Sequence, residues 1–392
     1  MRRYNLFICL LLTAMAAGLL LPPDRASAIP AFARKYQMSC STCHGPFPRL
    51  KPYGEEFAAR GFRMADPAEE PPRATHDVGD PLLQLPRDLP LAVRIEGFAA
   101  YNEDAAAEAD FETPWVFKIL SGGPVTPRIS YYLYFILEKN DVEGLEDAYL
   151  QVNDLFGSKI DMIFGQFQVS DPLFKRELRL ERNDYQIYRT RVGQASPNLT
   201  YERGLMFLAT APGEIDVALQ VVNGNGIPTG EFDNDDSKNV ALRLAREFGG
   251  ARVGLFGYWG NEEQRGERFL EENETTYFGP DLSVRFGPEW ELNLQYLERR
   301  DDDPWFLGGL ARKVETRGGF GELNFFPQGE DGRWAISGLY NRVESDDPLA
   351  EAESVSMTVN YLLGRNVRVL TEVGRDLHAE KSQASLGLVT AF

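Results

Sequence analysis

Trp290-Glu291-Leu292-Asn293-Leu294-Gln295-Tyr296 decides the fold. Apolar and polar residues alternate at each step. An extended strand therefore puts Trp290, Leu292, Leu294 and Tyr296 on one face and Glu291, Asn293 and Gln295 on the other. The pattern recurs along the chain. Val355, Met357, Val359 and Tyr361 alternate with Ser354, Ser356, Thr358 and Asn360. Ile129, Tyr131, Leu133, Phe135 and Leu137 share a face, as do Ile215, Val217, Leu219 and Val221. Each stretch runs about ten residues, the length of a tilted bilayer-crossing strand. Such segments start near residues 91, 111, 128, 143, 159, 203, 214, 237, 251, 274, 289, 313, 333, 353, 366 and 382. They predict an all-β region, 91–392, forming an antiparallel outer-membrane β-barrel of about sixteen strands.

The connections agree. Short turns at Ala211-Pro212-Gly213, Phe248-Gly249-Gly250, Phe286-Gly287-Pro288 and Leu363-Gly364-Arg365-Asn366 alternate with longer, charged loops. Those loops contain Glu103 to Asp110, Asn223 to Asp236, Asn261 to Asn273, Glu298 to Leu310 and Glu344 to Glu353. Short turns on one rim and long loops on the other are the layout of outer-membrane barrels. Phe392, on one face with Leu386, Leu388 and Thr390, resembles the C-terminal signal read by the bacterial barrel-insertion machinery. The stretch Ser170 to Glu202, rich in Arg and Asp, breaks the rhythm and is expected to fold into the barrel or cap it. Its layout resembles the long third-loop region of phosphate-selective porins.

The start of the chain reads as a secretory signal over residues 1–28: Arg2 and Arg3, an apolar run from Leu6 to Leu21, then Ala26-Ser27-Ala28. The run is too short for a spanning helix, and Pro22-Pro23 follows it. A mature chain beginning near Ile29 loses Cys9 and keeps only Cys40 and Cys43. The chain carries 41 basic and 59 acidic side chains, a balance that argues against a nucleic-acid partner. Outside the signal no stretch approaches 18 apolar residues, but alternating strands escape such a count. A proline-rich acidic passage, 65–90, reads as a linker between a compact N-terminal domain, 29–64, and the barrel.

Cys40-Ser41-Thr42-Cys43-His44 is the attachment motif of c-type haem. Two thiols three positions apart can add to the two vinyl groups of one porphyrin, and the adjacent histidine reaches the iron. Zinc would need a fourth ligand and usually a second spaced pair. A redox dithiol would want a βαβ context. The reading is therefore one covalent haem c on Cys40 and Cys43, with His44 as proximal iron ligand. The candidate distal ligand is Met64, for which a core-filling role is equally open. Met38 is too near the attachment, His76 lies in the linker and His378 reads as a rim residue.

Ile29-Pro30-Ala31-Phe32-Ala33-Arg34-Lys35-Tyr36, then the motif, then Pro46, Pro48, Leu50, Gly54, Phe57 and Gly61-Phe62 resemble the N-terminal signature of the fused monohaem cytochrome–porins. That family includes outer-membrane Fe(II) oxidases of iron-oxidising bacteria. The resemblance covers about 35 residues by motif and the remainder by architecture. It implies a small c-type cytochrome domain inside a sixteen-stranded barrel or at its periplasmic mouth. So small a domain can hardly bury a porphyrin alone, and enclosure by a barrel would solve this.

These readings converge on an outer-membrane electron-transfer protein: extracellular Fe(II) is oxidised at the haem and a soluble periplasmic cytochrome takes the electron. Two rivals are a conduit carrying electrons outward to an extracellular acceptor and a solute porin with a haem-containing plug. Asp233, Asp235, Asp236, Glu262, Glu263, Asp301 to Asp303, Asp346 and Asp347 are expected to face outward. There they would raise local cation concentration, bridge divalent ions in the lipid layer, or solvate the rim.

Overall fold

The computed structural model describes residues 31–66, 68–71, 75–83, 85–87, 90–138, 143–227, 233, 235–265 and 270–392. The expected signal, Cys9 and Ile29 lie outside these residues. Three short helices come first: α1 (Ala31–Tyr36), α2 (Cys40–Cys43) and α3 (Pro52–Ala59). The strands follow in two halves. The first holds β1 (Leu91–Asn102), β2 (Ala109–Pro124), β3 (Ile129–Glu138), β4 (Glu143–Val152), β5 (Ile160–Gln168), β6 (Tyr201–Ala211), β7 (Ile215–Val222) and β8 (Asn239–Phe248). The second holds β9 (Ala251–Arg265), β10 (Leu270–Phe286), β11 (Trp290–Asp301), β12 (Val314–Phe325), β13 (Trp334–Ser345), β14 (Ala352–Gly364), β15 (Val367–Asp376) and β16 (Lys381–Ala391). Each pairs antiparallel with its sequence neighbour. β1 and β16 close the barrel in the register Arg94↔Ala391 to Asn102↔Gln383. Phe392 extends this seam, exchanging backbone hydrogen bonds with Val93.

The wall separates two solvents, and its side chains sort accordingly. On β11, Trp290, Leu294 and Tyr296 are exposed outward while Glu291, Asn293, Gln295 and Arg299 are buried toward the lumen. A soluble protein sorts the other way. Outward aromatics gather at the short-turn end, where Trp290 stacks on Phe325 with centroids 4.1 Å apart and Trp334 lies 4.7 Å from Tyr361. This is the interfacial girdle of a membrane barrel. A tight turn joins Phe248 to Ala251 through Gly249 (φ 55) and Gly250 (φ 94), a two-residue hairpin that needs positive φ at both positions.

The strand starts follow the alternation closely, but two expected loops are shorter. The Asn261 to Asn273 stretch continues the hairpin, with β9 running to Arg265 and β10 starting at Leu270. β11 likewise runs to Asp301, into the expected Glu298 to Leu310 loop.

The β5–β6 connection, residues 169–200 with the short helix α4 (Gln186–Arg189), folds into the barrel. It is tied to opposite sides of the wall. Lys175 bridges Asp147 on β4 at 3.1 Å, and Tyr188 Oη donates to Gln295 on β11 at 2.9 Å. Tyr185 Oη donates to Glu322 on β12, and the backbone N–H groups of Arg182 and Asn183 donate to Glu372 on β15. Tyr185 also stacks on Phe320 with centroids 3.9 Å apart.

Candidate functional site

Ser39 starts α2, its Oγ accepting from the Ser41 N–H at 3.3 Å, and the His44 N–H closes the turn on the Cys40 carbonyl at 2.8 Å. Cys40 and Cys43 both lie on this one turn and form no disulfide. Burial raises both thiol pKa values, so the free side chains rest protonated. The chain then doubles back. His44 pairs with Leu50, and Lys51 N–H donates to the Cys43 carbonyl at 2.8 Å. α3 packs against this turn so closely that a Cβ on Gly54 would lie 2.3 Å from the Cys43 carbonyl oxygen. Only glycine permits that approach.

His44 Nδ1 lies 3.0 Å from the Pro48 carbonyl oxygen. A carbonyl can only accept, so Nδ1 carries the hydrogen and Nε2 keeps its lone pair in the neutral ring. Burial lowers the His44 pKa, partly opposed by the Pro48 contact, and this favours the neutral ring. Cys43 packs against an apolar cluster that gathers Phe32, Tyr36, Met38, Tyr53, Phe57, Phe62 and Met64. The Met38 and Met64 sulfurs both lie 3.7 Å from the Tyr53 hydroxyl. Met64 thus shares a cluster with Cys43, but so does Met38, set aside in the sequence reading. His76 is exposed beside the Thr75–Pro86 bridge, and His378 lies at the far, long-loop rim.

The domain is seated in the short-turn mouth of the barrel. Arg49, 7% exposed, is held by Glu291 at the start of β11 and by Glu330 at 3.0 Å in the β12–β13 turn. Burial opposes its charge, yet the two carboxylates overcome this and raise its pKa. Lys51 reaches Asp331 at 2.7 Å, Arg63 donates to the Pro127 carbonyl, and Phe62 meets Tyr132 of β3 at 5.4 Å. Arg94 of β1 lies over the ring of Phe47 at 5.3 Å.

A closed antiparallel wall, apolar outside and polar inside, with short turns at one rim, has one environment that fits it. The chain folds as an outer-membrane porin-like barrel. It is similar to OmpT of Vibrio cholerae in its trimer form, with a TM-score of 0.56 and 11% identity, covering 78% of this chain and 99% of that one. It is also similar to an anion-selective porin from Comamonas acidovorans, with a TM-score of 0.57 and 10% identity over 78% and 99% of the chains. A third match is the Salmonella typhi OmpF complex with daunomycin, at 0.53 and 10% over 78% and 97%. No family model matches the porin-like barrel's sequence, and no curated protein matches it. At these identities the likeness is one of fold.

Several acidic side chains expected to face outward do not. Glu262, Asp301, Asp303 and Asp347 are buried. Glu262 accepts from the Ser196 N–H at 2.8 Å, Asp301 pairs with Arg299 at 2.6 Å, and Asp347 accepts from the Gly193 N–H at 2.9 Å. They hold the lumen segment and its wall. Among the described residues no group of three or more His, Cys, Asp or Glu side chains is placed to hold a metal ion. The sequence reading missed Arg49, Glu291, Glu330 and Tyr53. Pro48 stood in the signature, but its carbonyl role depends on the 44–50 turn.

Proposed function

We propose that the chain is an outer-membrane electron-transfer protein: a porin-like barrel whose N-terminal domain, 29–64, carries one covalent haem c on Cys40 and Cys43, with His44 as proximal ligand. The observation that carries the reading is the His44 ring. Its Nδ1–H is spent on the Pro48 carbonyl beside two cysteine side chains on one helical turn, which leaves Nε2 to a metal. Ligating histidines are oriented this way. Bound there, a haem c supplies one-electron chemistry. The protein's own part is to orient His44 through Pro48, keep water from the cluster with Phe32, Phe57 and Phe62, and fix the domain through Arg49. Met64 is the proposed sixth ligand, with Met38 its nearest competitor at the Tyr53 hydroxyl.

Extracellular Fe(II) is the proposed donor and a soluble periplasmic cytochrome the acceptor, with the short-turn rim facing the periplasm. A donor from outside has to enter the lumen and pass segment 169–200 to reach the site. A potentiometric titration of the purified protein's haem spectrum, with stopped-flow mixing against Fe(II), tests the assignment. Covalent haem with a positive potential and fast reduction supports it, and Met64→Leu, but not Met38→Leu, then alters the iron's spin state. Absence of covalent haem defeats the whole reading, and a strongly negative potential defeats the iron-oxidising one. The polar lumen and the likeness to porins favour a second reading, a solute porin plugged by this domain. Large, steady single-channel conductance of the intact chain would select it.

A further inference from the structure

Arg94 of β1 combines an unfilled donor with a position beside His44. Its Nε is buried and has no hydrogen-bond partner among the described residues, although Nη2 engages Glu96 on the same strand. Its guanidinium lies 5.3 Å from the centre of the Phe47 ring, and Phe47 packs edge-on against the His44 ring with centroids 5.7 Å apart. A cation of the barrel wall with an N–H to spare therefore stands next to the Cys40 to His44 turn.

The charges around that turn share a sign. Lys51 donates to the Ser41 carbonyl at 2.7 Å. Arg365, in the β14–β15 turn, donates at 2.8 Å to the backbone carbonyl of Asp331, the residue whose side chain Lys51 also reaches. Arg94 and Lys51 face His44, and Arg365 faces Cys40. The chain has 59 acidic side chains against 41 basic ones, so a gathering of cations here runs against its composition. Of the other charged groups near Arg94, Arg368 of β15 has Glu181 beside it, and Glu177 of segment 169–200 is held by Lys118 of β2. None of them reaches Nε.

A guanidinium can serve more than one carboxylate, as Arg49 does with Glu291 and Glu330 in the same mouth. Arg94 has one. A haem carries propionate carboxylates, and a carboxylate taken out of water needs a cation and hydrogen bonds. We propose that Arg94 is a haem-binding residue supplied by the barrel, its guanidinium holding a propionate carboxylate of the haem c on Cys40 and Cys43. The inference rests on the haem reading above and deepens it. The thiols and His44 belong to the N-terminal domain and Arg94 to the wall, so the haem site is complete only when the domain is seated.

The test measures the haem midpoint potential from pH 5 to pH 8 in the purified full chain. Beside a guanidinium the carboxylate stays ionised across this range. The double variant Arg94→Gln, Glu96→Gln removes the ion pair without leaving Glu96 buried alone, and burial then raises the haem carboxyl's pKa into the range. Reduction there draws in a proton, so the potential falls as pH rises, with a slope absent from the wild type and from Glu96→Gln alone. Resonance Raman spectra of Arg94→Lys, which keeps the charge, give a second reading. The propionate bending band should move, because a lysine cannot reproduce the guanidinium's paired donors. A double variant with covalent haem and the wild-type pH profile overturns the proposal and leaves the haem reading standing, as does an unmoved band. A wild-type chain without covalent haem overturns both.

Discussion

Arg49 shows how one side chain decides where a domain sits. Its guanidinium meets Glu291 and Glu330, and the first of these is 242 positions away in sequence. Burying such a charge is worthwhile only while its partners are present, and removing one partner of a buried pair costs about 3–5 kcal/mol. Arg285 also reaches Glu291, at 3.1 Å, so that carboxylate keeps a cation and the lower end of the range applies. Arg49→Ala should therefore weaken the seat by about 3 kcal/mol. Amide exchange over residues 44–60 should speed up while barrel amides stay protected, and uniform protection would show that the ion pair contributes nothing. The Cys40 to His44 spacing was legible because it is local to five residues. The acceptor for Nδ1 was not, because it exists only once the 44–50 turn has closed.

At the level of elements, the β11 alternation makes a sharp distinction between neighbours. Leu294 faces lipid between two aromatic side chains, Trp290 and Tyr296, whereas Glu298 stands outward beyond them. Arginine at mid-bilayer on a barrel's lipid face costs about 2–4 kcal/mol, falling to about 0–1 near the interface. Leu294→Arg should therefore destabilise the barrel in vesicles by that larger amount and Glu298→Arg hardly at all, as read by denaturant titration. Equal effects would mean that the outward face is not graded by depth. The sixteen strands were legible because each announces itself through a period of two. The Asn261 to Asn273 stretch reads as a loop because Glu262, Glu263, Glu271, Glu272 and Asn273 are polar on both faces. Above the membrane a strand has water on both sides, and alternation no longer marks it.

Over the whole molecule, the lumen is obstructed at two levels, by the N-terminal domain at the short-turn mouth and by segment 169–200 further in. Removing the domain alone should therefore raise single-channel conductance only modestly, and removing residues 176–186 as well should raise it much more. A fully open pore after the first deletion would place the barrier in the domain alone. The same arrangement bears on the electron-transfer reading, since the proposed haem site lies toward one rim and the inner segment stands between it and the other.

The sequence by itself determined the barrel, its strand number and hairpin order, and the orientation of short and long connections, and it carries the Cys40-Ser41-Thr42-Cys43-His44 spacing on which the haem proposal rests. Each is written in spacings of a few residues, and local spacing survives without knowledge of the fold. The tertiary structure alone decided which partners the lumen charges take. The acidic residues read as an outward-facing rim are in part the internal ties of the lumen segment, as with Glu262 on Ser196 and Asp347 on Gly193. Such pairs join residues 66 and 154 positions apart, and only closure of the wall brings them within hydrogen-bonding reach.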